Sequence, residues 1–134
     1  MIVRDGEGAT RVMEIEVRGA STQREARVVA HVVATSPLVK TALHGGDPNW
    51  GRILAAVGRS GVHLAPHRVS LQLGRLILFQ NGRPAEYHER DAARWFSKER
   101  VPVVIDLGVG VATASMLTCD LGEDYVALNA NYRS

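Results

Sequence analysis

The chain has 134 residues, of which 46% are hydrophobic and 22% charged, and its formal net charge is +2. This length suits one domain with a real core, and a small net charge with scattered basic residues argues against a nucleic-acid-binding surface. No apolar run is long enough to span a membrane, no signal peptide is expected, and the single cysteine excludes an internal disulfide framework. We therefore expect a single cytoplasmic domain over residues 1–134.

The first elements in the chain are predicted from periodicity. Residues 12–17 (VMEIEV) alternate apolar and polar side chains, which is typical of a half-buried strand, and the stretch GAST then breaks the pattern. Thr22 and Glu25 form a capping-box pattern ahead of an apolar helical stripe over residues 26–33. Pro37 is expected to end this helix.

The motif DPNWGR predicts the start of a second helix. Asp47 is a suitable N-cap residue, Pro48 suits the first helical position, and the helix would end near Gly58 or Gly61. Two interpretations of the motif stay open: an anion-binding helix N-terminus assisted by Arg52, or a capped helix whose tryptophan packs on the core. The second interpretation is favoured.

The rest of the chain predicts more strands than helices. An Asn81-Gly82 pair is a strong signal for a tight turn in a β-hairpin. Strands are predicted over residues 68–73, 76–79, 101–107 and 111–121, with one short helix over residues 89–98. The mixture predicts an α+β (mixed α/β) fold, in which a mixed sheet with a central hairpin packs against helices in two layers.

The histidines do not form a convincing metal site. His63 and His67 are four residues apart, but a proline lies between them and no acidic or cysteine ligand completes a set. The other three, His31, His44 and His88, are isolated in sequence. All five are therefore predicted to be solvated histidines rather than metal ligands.

Glycine and nucleophile motifs are equally weak. Gly108 and Gly110 follow a strand, as in a dinucleotide-binding turn, but the third glycine and the following helix are missing. Thr113 lies in a run of small and apolar residues typical of a strand, so we expect no catalytic role for it. Cys119, in an apolar strand, is expected to be a packed side chain.

Polar side chains near both ends of the chain allow either a structural or a functional interpretation. Asp5 and Glu7 alternate with glycines, so they belong either to a solvated turn or to a site in which a carboxylate binds an amine or acts as an acid or base. The tail carries Asn129, Asn131 and Ser134, which suit recognition of polar groups but are placed where chains usually fray.

Three separated stretches are similar to one known family. They are VRDGEGATR at 3–11, SPLVKTALHGGDPNWGRILAAVGRSG at 36–61 and TCDLGEDYVALNANYRS at 118–134. Together they cover nearly the whole chain, and the chain is identified as a member of the ornithine acetyltransferase family, resembling the C-terminal part of its members. The resemblance implies a glutamate N-acetyltransferase of arginine biosynthesis, which moves acetyl from N-acetylornithine to glutamate through an acyl-threonine intermediate.

The resemblance also implies site residues and partners. Glu7 matches the family's substrate-binding glutamate, and Asn129 and Ser134 match tail residues that line the same pocket. No metal or cofactor is implied, although some members use acetyl-CoA as an acetyl donor. The family precursor cleaves itself into an α and a β chain that assemble as two of each, and its threonine nucleophile and oxyanion hole lie upstream of these motifs. We therefore expect this chain alone to be inactive, and residues 1–10 to join it to an upstream domain.

Three residues depart from the family pattern. Val109, Val111 and Leu117 stand where a Gly-Arg-Gly-Asp-like turn and a tryptophan are expected, so the family's local loop geometry and its substrate preference are not carried over at this stretch. An alternative from another class is a non-catalytic module that binds amino acids or supports assembly and keeps the family fold. Partner-dependent folding would favour the enzyme, and amino-acid binding by a lone folded chain would favour the module.

Overall fold

The computed structural model describes residues 11–120, which form six strands and four helices. In chain order these are β1 (Val12–Ala20), α1 (Gln23–Ala34), α2 (Pro37–Gly45), α3 (Trp50–Gly58), β2 (Ser70–Leu73), β3 (Leu76–Gln80), β4 (Arg83–Pro84), α4 (Glu89–Phe96), β5 (Arg100–Asp106) and β6 (Ala112–Cys119). A single 3-10 turn, Pro66–Arg68, precedes β2.

The strands form one mixed sheet in the order β4-β3-β2-β5-β1-β6. β1 is parallel to β5, and the other neighbouring pairs are antiparallel. α1 packs across β1 and β6, α4 packs across β2 and β3, and α2 and α3 pack against one another and α1. The predicted fold class, a mixed sheet against a layer of helices, is confirmed.

The core lies between the sheet and the helices because strand and helix periodicities place their apolar side chains on facing surfaces. On β1, the side chains of Met13, Ile15 and Val17 are fully or almost fully buried. The stripe predicted on α1 is buried as well, and its members are Ala26, Val29, Ala30 and Val33. The prediction for these two elements is confirmed residue by residue.

The opposite face of the sheet is not covered by any of the described elements. β1 presents Glu14, Glu16 and Arg18 on this face, and β5 presents Pro102 and Val104. The hydrogen bond from the Arg18 guanidinium to the Glu16 carboxylate, 2.8 Å long, raises the pKa of Arg18 above its usual value. One face of the sheet therefore packs in the core, and the opposite face carries both charged and apolar side chains.

Pro37 begins a helix as well as following one. α1 ends at Ala34, as the proline predicted, and the segment that begins with this proline forms the helix α2. Ser36 is the N-cap residue of α2, and its hydroxyl accepts a hydrogen bond from the Val39 N–H at 3.3 Å. Proline is well tolerated at the first helical position because its missing N–H has no helical partner there.

The predicted start of the next helix was wrong by two residues. Asn49, not Asp47, is the N-cap of α3, and its side-chain oxygen accepts from the Arg52 N–H at 3.2 Å. The Asp47 N–H instead donates to the Ala42 carbonyl at 2.9 Å, so Asp47 belongs to the end of α2. Asp47 and Asn49 both have side chains suited to an N-cap. Because the N–H of Asp47 satisfies a carbonyl at the end of α2, α3 begins after Asn49.

β1 continues through the glycine that was expected to break it. Gly19 adopts a φ of +69°, and the pairing between β1 and β6 shifts register between Val17 and Ala20. A side chain at Gly19 would approach the Asp106 carboxylate to 2.3 Å and the Gly108 nitrogen to 2.6 Å. The glycine therefore permits a bulge within the strand and a close crossing of the turn that follows β5.

The predicted hairpin turn is present. Asn81 and Gly82 have φ values of +53° and +76°, which is the left-handed pair that a tight hairpin turn requires. The turn joins β3 to β4, and Gln80 pairs with Arg83 across it.

Candidate functional site

The three predicted substrate-binding residues, Glu7, Asn129 and Ser134, lie outside the described residues. The structure does describe Arg11 and Asp120, the residues next to the segments that carry them. Arg11 directly precedes β1, Asp120 directly follows β6, and the Asp120 N–H donates to the Arg11 carbonyl at 3.1 Å. Both predicted segments are therefore attached at one corner of the sheet.

Arg11 connects this corner to the ends of two helices. Its Nη1 donates to the carbonyl of Phe96, the last residue of α4, at 2.8 Å. It also reaches the carbonyl of Leu43, in the last turn of α2, at 3.5 Å. A guanidinium is favourable at both places because the C-terminal carbonyls of a helix lack helical donors and carry partial negative charge.

Asp120 connects the same corner to α2 through His44. The His44 Nδ1 lies 3.1 Å from the Asp120 Oδ2, and the Asp120 side chain is 5% exposed whereas that of His44 is 53% exposed. His44 is exposed, as predicted, but it is not isolated in space because it contacts Asp120. Its partner is 76 positions away in sequence, so spacing along the chain contains no signal for the pair.

The DPNWGR motif behaves as the favoured interpretation predicted. The Trp50 indole Nε1 donates to the Tyr87 hydroxyl at 2.7 Å, and its ring lies 5.4 Å from that of Phe79. Arg52 donates from Nη1 to the Leu38 carbonyl at 3.0 Å, so its guanidinium links α3 to α2. The motif therefore holds helices and sheet together, and the structure offers no support for an anion site there.

The remaining candidate nucleophile and metal ligands are spread over the surface. His63 and His67 are exposed, and residues 11–120 contain no cluster of three or more acidic, histidine or cysteine side chains suited to a metal ion. Thr113 is exposed on β6, and Cys119 is half-buried at its end. None of the helices in this described range is long and apolar enough to cross a membrane.

The two glycines after β5 have a packing role. Gly110 passes so close to β1 that a Cβ there would lie 2.3 Å from the Ala20 carbonyl oxygen. Gly108 has a φ of +68° and passes against Arg68. These close contacts and the positive φ of Gly108 account for glycine at both positions. Among the departures from the family pattern, Val111 is 94% exposed and Leu117 is 59% exposed.

Comparison with known proteins identifies the family. The structure defines a mixed α/β domain in which Arg11 and Asp120, the first and last described residues, lie side by side at one corner of the sheet. The model of the ArgJ family matches residues 1–134, and the chain belongs to that family. It is 46% identical over 134 residues to the arginine biosynthesis bifunctional protein ArgJ of Oceanobacillus iheyensis, and 44% identical over 134 residues to that of Chlorobaculum tepidum.

A solved structure agrees with the fold. The crystal structure of the arginine biosynthesis bifunctional protein ArgJ from Bacillus halodurans matches with a TM-score of 0.87 and 38% identity, over 96% of this chain and 61% of that chain. The chain covers 33% of the length of the Oceanobacillus and Chlorobaculum proteins. This chain therefore spans about a third of the length of the curated relatives that it matches.

Proposed function

We propose that this chain is the C-terminal part of a glutamate N-acetyltransferase of arginine biosynthesis that works in the cytoplasm. The observation that carries the proposal is the family match over residues 1–134. The names of the relatives, which describe bifunctional arginine biosynthesis proteins, support it. Because those relatives are about three times as long, the proposal assigns the nucleophile and the oxyanion hole to segments upstream of this part.

The proposed reaction has two acyl-transfer steps. The hydroxyl of an upstream threonine attacks the acetyl carbonyl of N-acetylornithine, and ornithine leaves as the free amine while an acyl-threonine ester forms. An upstream oxyanion hole stabilises the negative charge that develops on the carbonyl oxygen. The amine of glutamate then attacks the ester, which releases N-acetylglutamate and restores the threonine hydroxyl. No cofactor takes part, and acetyl-CoA is a second acetyl donor to be tested.

The role proposed for this chain is substrate binding by Glu7, Asn129 and Ser134. A carboxylate at Glu7 would accept a charge-assisted hydrogen bond from a substrate ammonium group. The adjacency of Arg11 and Asp120 supports a shared pocket, because the two segments start at one corner. The four residues from Arg11 to Glu7 reach at most about 14 Å, so the proposal locates the substrate amine near this corner.

The proposed partner is the upstream part of the same enzyme, as the α chain of a complex with two α and two β chains. The sheet face opposite the helices supports this, since it contains a shallow groove of about 270 Å³ along β1, β5 and β6. β6 is also the last strand of the described sheet, and Leu117 is exposed on it. A free strand edge and an exposed apolar side chain favour association with another chain segment.

Reconstitution tests the proposal. Acetyl transfer from N-acetylornithine to glutamate is measured with this chain alone, and then with the upstream part of the Oceanobacillus relative. We expect transfer only in the mixture. Transfer by the chain alone would contradict the assignment of the nucleophile to an upstream segment. Amino-acid binding by the folded chain without transfer in the mixture would favour the non-catalytic module.

The substitution Glu7→Gln tests the binding role. Because it replaces a carboxylate that accepts from a charged amine, we expect KM to rise about 10-fold to 100-fold with a smaller change in kcat. The matched control is Glu86→Gln, at an exposed position of the described surface, which should leave both constants unchanged. An unchanged KM in the Glu7 variant would refute the assigned role.

A further inference from the structure

Two of the family-like stretches meet through the His44–Asp120 contact. His44 belongs to the stretch at 36–61 and Asp120 to the stretch at 118–134, and their side chains are 3.1 Å apart. The Asp120 side chain is 95% buried, and a buried carboxylate needs a hydrogen-bonding partner to offset the loss of water. Neither residue has a part in the reaction proposed above, so the pair requires its own explanation.

The contact lies at the start of the tail. Asp120 is the last described residue before the segment that carries Asn129 and Ser134, and its N–H is bonded to the Arg11 carbonyl. The Arg11 side chain in turn reaches the Leu43 carbonyl, one residue before His44. One helical turn, the last of α2, therefore contacts the attachment points of both predicted substrate-binding segments.

We propose that His44 is a positioning residue that acts through Asp120. By holding this carboxylate, it fixes where the tail leaves the sheet relative to the segment that carries Glu7. This inference rests on the proposed function for the identity of the substrate. The contacts of His44 with Asp120 and of Asp120 with Arg11 do not depend on that function. A displaced binding group loses part of its contact with the substrate, and a loss that is equal in the ground state and the transition state appears as a higher KM with little change in kcat.

The chemistry of the contact allows a specific test. With its proton on Nδ1, the imidazole donates to the Asp120 Oδ2, and Nε2 takes no part in this contact. The side-chain nitrogen of asparagine is the same number of bonds from Cα as Nδ1, so His44→Asn retains this donor and removes Nε2. His44→Leu removes both. A positioning role needs only the Nδ1 donor, whereas acid-base chemistry by an imidazole whose Nδ1 is bonded to Asp120 needs Nε2.

Kinetics of the complete enzyme, with this chain and the upstream part together, distinguish these roles. For His44→Leu we expect the KM for N-acetylornithine and for glutamate to rise about tenfold, with a smaller change in kcat. His44→Asn should recover KM to within about threefold of the parent enzyme. The matched control is His31→Asn, since His31 is exposed in the last turn of α1 as His44 lies in the last turn of α2. The control should change neither constant.

Two kinetic results would overturn the proposal. Equal losses of kcat in the leucine and asparagine variants would assign His44 to acid-base chemistry instead. An unchanged KM in the leucine variant, measured below the temperature at which it unfolds, would show that the contact stabilises the fold without positioning the binding segments.

Hydrogen exchange provides a readout that is independent of the reaction. In the same assembled protein, His44→Leu should increase amide exchange in residues 121–134 at least tenfold, while His44→Asn and His31→Asn stay near the parent. If the parent shows no acetyl transfer but the exchange result holds, the proposed function fails and the positioning role stands. If transfer is present and exchange is unchanged in the leucine variant, the positioning role fails alone.

Discussion

The contact between β6 and the end of α1 allows a quantitative prediction. Thr118 is 8% exposed, and its hydroxyl donates to the Ala34 carbonyl at 2.6 Å. Ala34 ends α1, so its carbonyl is among those that a helix end leaves without a helical donor. Thr118→Val preserves the side-chain shape and leaves this buried acceptor unpaired. The expected loss is about 1–2 kcal/mol of unfolding free energy, which combines the cost of an unsatisfied buried group with a small apolar gain.

Urea denaturation of the assembled protein measures this loss. The midpoint should fall while the slope against urea stays the same, because the surface exposed on unfolding does not change. Thr113→Val is the matched control, since it makes the same change at an exposed position on the same strand and should alter stability by less than about 0.5 kcal/mol. This control should also retain acetyl transfer. Equal losses in the two variants would refute the attribution to the Ala34 hydrogen bond.

Three further changes test the packing and the proposed interface. Gly19→Ala should lower the unfolding free energy by about 2–4 kcal/mol, because the residue has a positive φ and its Cβ would meet the backbone of the neighbouring turn. Tyr87→Phe removes the acceptor of the Trp50 indole, and we expect a loss of about 0.5–1.5 kcal/mol, measured in urea by tryptophan fluorescence. Leu117→Lys should weaken association with the upstream part in size-exclusion chromatography and leave the stability of this part nearly unchanged.

The glycine and leucine changes each have a control in the same chain. Gly58→Ala has no neighbour within 4 Å of its Cβ, so it should be neutral or stabilise by up to about 1 kcal/mol. If Gly58→Ala and Gly19→Ala lowered the unfolding free energy by similar amounts, the close contact of Gly19 with the turn after β5 would not be the cause. Leu38→Lys changes an equally exposed leucine, 54% exposed on α2, and should not affect association. If it does, charge rather than the β6 surface controls assembly.

Much of the fold was predictable because local patterns determine local structure. The alternation over residues 12–17, the stripe on α1 and the Asn81-Gly82 turn each depend on residues close together in sequence, and each is confirmed. The errors occurred where neighbouring elements compete. Asp47 has the chemistry of an N-cap residue, but its N–H completes the end of α2, so the helix begins after Asn49 instead.

The candidate site was predictable only in part. The family-like stretches identify the family, and the assignment of Glu7, Asn129 and Ser134 stays a prediction because these residues lie outside the described range. The roles of His44 and Asp120 could not be predicted from spacing. His44 lies in α2 and Asp120 directly follows the edge strand β6. Their side chains therefore meet only when α2 lies beside this corner of the sheet.

The sequence by itself determined the family, the fold class and the positions of nearly all strands and helices, because hydrophobic periodicity, capping and turn chemistry act over a few residues. The tertiary structure alone decided which distant groups meet. Arg11 joins the ends of α2 and α4, and Asp120 is buried against His44, because parallel pairing of β1 with β5 and antiparallel pairing with β6 bring the two ends of the fold together. Such contacts depend on the order of strands in the sheet, which no local pattern encodes.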